Sequence, residues 1–220
     1  MKKTLLFEIG LEEVPAKYVR NSSVQLKERL ITFLKEKRIE HGDVSSFATP
    51  RRLAVMVKEV SDKQKDIIEK SKGPARKIAV DTDGNWTKAA IGFARGQGLS
   101  PDDLSFEEIK GIDYLHANKE IKGSETTHIL RELPTVIKAM TFPVSMHWGN
   151  HTFKYIRPIH WIVALLGEEV IPFELLDVQS GRSSQGHRFL GNEVRIESAE
   201  DYVESLEEQF VLVDMDQRKI

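Results

Sequence analysis

Cysteine is absent from the 220 residues, which removes disulfides, thiolate zinc sites, iron–sulfur clusters and thiol nucleophiles at once. Long apolar runs are missing as well. The longest, Trp161 to Leu166, holds six residues, whereas a membrane-spanning helix needs about 20. Glu8 interrupts the stretch Leu5 to Ile9 behind Lys2 and Lys3, so no secretory leader and no membrane partner are expected, and the chain is expected to be cytoplasmic. Neither sign of charge dominates: 32 Lys and Arg against 34 Asp and Glu leave a net charge of -2. No global field draws such a chain onto nucleic acid, so DNA is not an expected partner and any RNA contact must come from local basic patches. No period of about 20 to 50 residues recurs, which excludes solenoids and propellers.

The residues present, 40% hydrophobic and 30% charged, fit a globular chain with a real core, in one domain or two. Lys3 to Ile9 reads as a strand. Pro15 then opens a helix whose Val19, Leu26, Leu30, Phe33 and Leu34 share a face, with Glu12 and Glu13 suited to the positive end of its dipole. Val44 to Ala48 and Leu53 to Val60 read as strands, giving a β-α-β-β opening over residues 1–62. A lysine-rich stretch, Lys63 to Lys77, reads as a linker. It leads to a short helix from Trp86 to Arg95 closed by Gly96, a hairpin of Leu104 to Lys110 with Tyr114 to Ile121, and two helices about Pro134. These make a segment 63–145 of linker, hairpin and helices. In the segment 146–220, Trp161 to Leu166 and Val170 to Leu176 are expected to pair as a central hairpin buried on both faces. Strand, helix and strand come next at Val194 to Ile196, Asp201 to Glu208 and Phe210 to Val213, and Asp214 looks like the cap of a further helix.

Three elements carry chemistry. In Thr49-Pro50-Arg51-Arg52, the guanidinium groups suit bidentate contact with phosphate or carboxylate. Adjacent strand residues face opposite ways, however, so the two arginines cannot both reach one ligand. Arg157-Pro158-Ile159-His160-Trp161 precedes the most apolar run and places Arg157 and His160 where edge becomes core. The loop Ser180 to Gly191 combines three glycines with Arg182, His187 and Arg188, and could turn backbone N–H groups toward an anion. His187 could add a ring N–H donor. Gly181 and Gly186 have P-loop spacing, but His187 and Arg188 occupy the positions where Lys and Ser or Thr would hold phosphate and magnesium, which excludes a nucleoside triphosphatase. His147 and His151 have helical spacing without an acidic partner, and Gly149 between them argues against a metal site.

In order along the chain, Phe7-Glu8-Ile9-Gly10, Glu12-Glu13-Val14-Pro15, Thr49-Pro50-Arg51-Arg52-Leu53-Ala54, Gly92-Phe93-Ala94-Arg95-Gly96, Arg157-Pro158-Ile159-His160-Trp161, Pro172-Phe173-Glu174-Leu175, Ser180-Gly181-Arg182 and Gly186-His187-Arg188-Phe189-Leu190 resemble the N-terminal region of bacterial heterotetrameric glycyl-tRNA synthetase beta subunits. Leu11 and His147 depart from that pattern, where threonine and arginine are usual. The resemblance implies an α+β fold of mixed, largely antiparallel sheets with flanking helices, similar to the B3/B4-type region of the phenylalanyl-tRNA synthetase beta subunit. It implies an N-terminal fragment, since the family's subunit is several times longer.

It further implies no catalytic residue and no cofactor in this stretch, with ATP and magnesium used on the separate alpha subunit. The implied partners are that alpha subunit, the tRNA for glycine and the remainder of the beta subunit. Arg51, Arg52, Arg157, Arg182, His187 and Arg188 are the candidate RNA contacts. Two alternatives stand beside this role. One is a hydrolytic editing module with His160 or His187 as base and Ser183 or Ser184 nearby. The other is a purely architectural module.

Overall fold

The computed structural model describes residues 2–218. In chain order its elements are β1 (Lys2–Leu11), α1 (Ala16–Glu36), β2 (Val44–Thr49), β3 (Arg52–Ser61), β4 (Ile67–Ala75), α2 (Arg76–Ala79), α3 (Lys88–Gln97), β5 (Leu104–Ile109) and β6 (Ile112–Ile121). Next come α4 (Thr126–Ile129), α5 (Pro134–Lys138), β7 (Ile159–Leu166), β8 (Glu169–Val170), β9 (Glu174–Leu175), β10 (Val178–Gly181), β11 (Ser183–Gln185), β12 (Glu193–Arg195) and α6 (Tyr202–Glu207). The fold is mixed α+β, with several antiparallel sheets and flanking helices. It divides into two compact units, one of them Lys65–Gly123 and the other formed by the chain before and after it. The opening 1–62 and the segment 146–220 therefore contribute to one unit, and the expected middle segment 63–145 is shared between the two.

The larger unit is built on a seven-stranded sheet in the order β2-β3-β1-β7-β10-β9, with β8 beside β7. β1 lies antiparallel between β3 and β7 and is buried from Thr4 onward. Because side chains alternate along a strand, Leu5, Phe7, Ile9 and Leu11 pack on one face with Leu26, Leu30 and Leu34 of α1. Leu6 packs on the other with Val163, Leu165, Tyr202 and Leu206. The expected helix face is thus the observed one. Its start differs: Pro15 is the N-cap residue, and Glu12 and Glu13 precede the helix altogether.

Trp161 to Leu166 is strand, as expected, but Val170 to Leu176 is not one strand. The turn at Gly167, with φ 62°, leads into β8, which pairs with β7 over only two residues. Pro172, which has no N–H to give a ladder, stands between β8 and β9. β9 pairs with β10, and β10 runs parallel to β7, Ser180 opposite Ile162. Near the C-terminus the helix is present as α6, whereas Phe210 to Val213 is not a strand. Asp214 Oδ1 accepts from the Asp216 N–H at 2.8 Å in a turn; the expected helix there runs into Lys219 and Ile220, outside the described residues.

The smaller unit is a three-stranded antiparallel sheet, β4-β6-β5, so the lysine-rich stretch read as a linker contains an edge strand. β5 and β6 form the expected hairpin. Ala79, Ala90 and Leu115 make a small core, and Trp86 stacks on Phe106 with centroids 5.9 Å apart. The helix α3 is capped by Thr87, whose hydroxyl accepts from the Ala90 N–H. It ends at Gly98, φ 72°, two residues beyond the expected Gly96.

Candidate nucleic-acid interface

The α6 side of the large sheet carries an ionic cluster. In register, Gly10 of β1 stands between Arg52 of β3 and Trp161 of β7, and Glu8 lies two residues away on the same face. A Cβ at Gly10 would come within 1.9 Å of Trp161 Cδ2, so only glycine lets the indole lie across β1. From there Trp161 Nε1–H donates to Glu8 Oε1 at 2.5 Å. Ser184 donates to the same oxygen at 2.5 Å, and the Tyr202 hydroxyl donates to Oε2. Arg52 Nη1 lies 3.6 Å from Glu8 Oε2 and donates to Ser184 Oγ at 3.0 Å, while Nη2 donates to the Gln185 carbonyl at 2.5 Å.

Glu8 is fully buried and Arg52 is 1% exposed, so the pair and its three hydroxyl or indole donors form a buried network, in which Arg52 Nε alone of the guanidinium nitrogens has no partner among the described residues. Burial, and after it the nearby Glu8 charge, holds the Tyr202 hydroxyl well above the usual tyrosine range. Gly10→Ala is expected to destabilise the chain by about 1–3 kcal/mol, the usual effect of overpacking. An unchanged denaturation midpoint would mean that the indole moves aside freely.

Arg52 also anchors the root of the next loop through the Gln185 carbonyl. The loop 186–192 folds back on itself and on Gln209: Gly186 N–H donates to Asn192 O, His187 N–H to Gln209 O and Gly191 N–H to His187 O. The N–H groups of Phe189 and Leu190 both point to His187 Nδ1 at 3.3 Å. A Cβ on Gly191 would meet Gln209 O at 2.4 Å, and one on Gly186 would meet Asn192 O at 2.6 Å. These two glycines serve close backbone approach. The expectation that the loop offers its N–H groups to an anion is corrected, because nearly all of them have internal partners. The loop presents side chains outward instead.

Those side chains border a cavity of about 750 Å³ between the start of α1, the Pro50 turn, the loop and the chain after α6. Arg51, His187 and Arg188 line it together with Arg20 and Arg218. The guanidinium groups of Arg20, Arg51 and Arg188 have no acidic partner among the described residues. Arg51 instead lies 5.9 Å from the Trp161 ring and Arg188 5.7 Å from the Phe189 ring. Arg218 donates to the carbonyls of Leu212 and Ala48, each at 2.6 Å, which leaves its charge unneutralised. Glu13 is the acidic side chain at this rim. Apart from Thr49 and Arg52, the rest of the lining is apolar and includes Phe189 at 84% exposure and Phe210 at 62%.

The six candidate contacts separate accordingly. Arg51, His187 and Arg188 come together. Arg52 reaches the cavity wall but is held in the buried network. Arg157 Nε donates to Glu13 O at 2.9 Å and Nη1 to its neighbour's carbonyl, outside the cavity lining. Arg182 is tied to Glu197 Oε2 at 3.1 Å and to the carbonyls of Glu168 and Glu197, so it braces β10 and β11 against the turns beside them.

Arg20 and Arg218 carry no signal in the sequence, where each is one more charged residue on a polar face. Of the groups considered for hydrolysis, His160 lies 3.8 Å from Glu12, and the Ser184 hydroxyl is sealed against Glu8 and Arg52. His151 pairs with Asp177 at 3.4 Å. Among the described residues no three His, Asp or Glu side chains are grouped as a metal-ligand set, and no helix is long and apolar enough to cross a membrane.

The sequence profile of the glycyl-tRNA synthetase beta subunit family matches residues 5–220. The chain belongs to that family. It is 56% identical over 218 residues to the glycine–tRNA ligase beta subunit of Bacillus subtilis (strain 168), covering 99% of the chain and 32% of that protein. To the glycine–tRNA ligase beta subunit of Lactobacillus delbrueckii subsp. bulgaricus (strain ATCC BAA-365 / Lb-18) it is 54% identical over 219 residues, again 32% of the relative. The chain thus spans about a third of the length of these curated relatives and matches their N-terminal portion.

Proposed function

We propose that this chain positions tRNA for a glycine–tRNA ligase as the N-terminal part of its beta subunit, in the cytoplasm, with the alpha subunit, the tRNA for glycine and the rest of the beta subunit as partners. Glycine activation with ATP and magnesium belongs, in this reading, to the alpha subunit. The residues around Gly181 and Gly186 do not fit a triphosphate–magnesium group, since the loop N–H groups are internally bonded and no Lys-Ser or Lys-Thr pair comes after them.

One observation carries the reading: on a chain of net charge -2, Arg20, Arg51 and Arg188 converge without acidic partners on one cavity. Guanidinium groups left unpaired in this way suit charge-assisted, bidentate contact with phosphate, which positions RNA without reading bases. In the complete synthetase, the Arg51→Ala/Arg188→Ala double variant is expected to bind tRNA more weakly. Its log–log salt dependence should be shallower by about 2, one unit for each phosphate contact removed. Arg182→Ala is expected to do the reverse, lowering the melting midpoint while affinity and salt slope stay put, because its partners are internal. A double variant that keeps both affinity and slope would move the RNA contacts elsewhere in the subunit.

A further inference from the structure

Phosphate contact explains the arginines of the cavity but not its apolar part. Phe189 is 84% exposed, Phe210 62% and Leu212 48%, and all three line the same cavity. Phe189 is presented by a loop in which its own N–H and those of Gly186, His187, Leu190 and Gly191 are internally hydrogen-bonded, so its position at the rim is set by the fold and not left to an unstructured tip. Its ring is close to two groups that suit nucleic acid: His187, with ring centroids 6.3 Å apart, and the Arg188 guanidinium at 5.7 Å. A duplex presents phosphates on a rigid outer surface and has no free base to enter a cleft. An unpaired nucleotide has both parts, a π face and a phosphate.

We propose that the cavity holds one unpaired nucleotide of the bound RNA, its base stacked on Phe189 over the apolar floor of Phe210 and Leu212, and its phosphates met by Arg188, Arg51 and Arg20. The proposal rests on the phosphate-contact reading above and makes it specific to single-stranded RNA. The volume of about 750 Å³ falls within the range of about 300–1,000 Å³ that ligand clefts occupy. Exposed aromatics interleaved with arginines are how single strands are gripped without sequence reading, because every base has a face to stack. Charge complementarity excludes a basic partner, and Glu13, the one acid lining the cavity among the described residues, would have to be tolerated by any anionic one.

The test is binding of fluorescently labelled RNA to the purified 220-residue chain, using a short single strand, the same sequence as a blunt duplex, and adenosine monophosphate as competitor. The single strand is expected to bind more tightly than the duplex. Phe189→Leu, which keeps an apolar side chain but removes the ring, is expected to weaken the single strand by roughly 5- to 150-fold, the span of base–aromatic stacking. The salt slope should stay unchanged, and Phe189→Tyr should restore affinity. Phe189 is exposed, so these variants leave the core intact.

If duplex and single strand bind alike, and Phe189→Leu changes neither, the nucleotide pocket is wrong while the phosphate patch stands. Should Arg51→Ala/Arg188→Ala also leave RNA binding untouched, both readings fall. An equal loss of RNA binding in Phe189→Leu and Phe189→Tyr, with no preference for single strands, would likewise overturn the pocket, because the ring would then stack on no base.

Discussion

Val163→Asp is expected to leave the chain unfolded at neutral pH. Val163 is fully buried in the centre of β7, and its cross-strand neighbour on β1 is Glu8, so the new carboxylate would stand beside one that already occupies the available cation. Loss of the valine side chain from the core removes about 1.5–3 kcal/mol of apolar burial. A buried carboxyl group can have its pKa raised by about 3–5 units, each worth about 1.4 kcal/mol of preference for the neutral form. At pH 7, about 3 units above the unfolded carboxyl pKa, keeping the group neutral costs about 4 kcal/mol, so together these reach about 5–7 kcal/mol, within the span of about 5–15 kcal/mol of total stability typical of a domain.

The loss should depend on pH. A carboxyl group whose folded pKa is raised destabilises above its unfolded pKa of about 3.9, so the gap to the parent protein should narrow as pH falls toward about 4. Val163→Asn, similar in shape without the charge, should lose less and show no such narrowing. Circular dichroism and denaturant midpoints at two pH values check this; a parent-like midpoint for Val163→Asp at pH 7 would mean that β7 is not buried at its centre.

How much of this fold is legible in the sequence depends on whether the signal is local. The alternation of Leu5, Phe7 and Ile9 and the helical spacing of Val19, Leu26, Leu30 and Leu34 are local, and β1 and α1 stand where those patterns put them. The opposite facing of Arg51 and Arg52 is likewise legible from strand geometry, and the structure shows which goes where: Arg52 inward to Glu8, Arg51 to the cavity. The role of Glu8 is not legible. A single carboxylate in an apolar strand reads as an interruption, and its partners lie 44, 153, 176 and 194 residues away in Arg52, Trp161, Ser184 and Tyr202, a pairing that only the sheet register creates.

The strand β4 is hidden for another reason. An edge strand exposes much of its side-chain row, and lysines there block pairing with other chains, so Lys70 and Lys72 make a strand resemble a linker. At the site, local motif chemistry is enough to pick out Arg51, His187 and Arg188. Arg20 and Arg218 have no such signal, since their function depends on which distant loop they face. The glycines of the 186–191 loop point to a correct location for an incorrect reason: they permit tight packing against Gln209 instead of exposing N–H groups.

Glu8→Ala is expected to destabilise the chain by about 3–5 kcal/mol, because removing one member of a buried pair leaves the other charge uncompensated. The Arg52 guanidinium would keep its bonds to Ser184 and to the Gln185 carbonyl but lose its counter-charge, and the donors on Trp161 and Tyr202 would lose their acceptor. Glu8→Gln retains an acceptor oxygen and should lose less than Glu8→Ala. The decisive comparison is a double-mutant cycle with Arg52→Met: residues that share one ionic network should couple by on the order of 1–3 kcal/mol, where independent sites add within about 0.5.

The network also reaches the cavity. Arg52 Nη2 holds the Gln185 carbonyl at the root of the loop that carries His187, Arg188 and Phe189, so Arg52→Met should speed hydrogen exchange at the His187 amide, which is bonded to Gln209 O, beyond the change seen across the rest of β1 and β7. Additive stabilities in the cycle, with the His187 amide exchanging no faster than the sheet, would show that Glu8 and Arg52 are packed near each other without acting on one another, and that the loop holds its shape unaided.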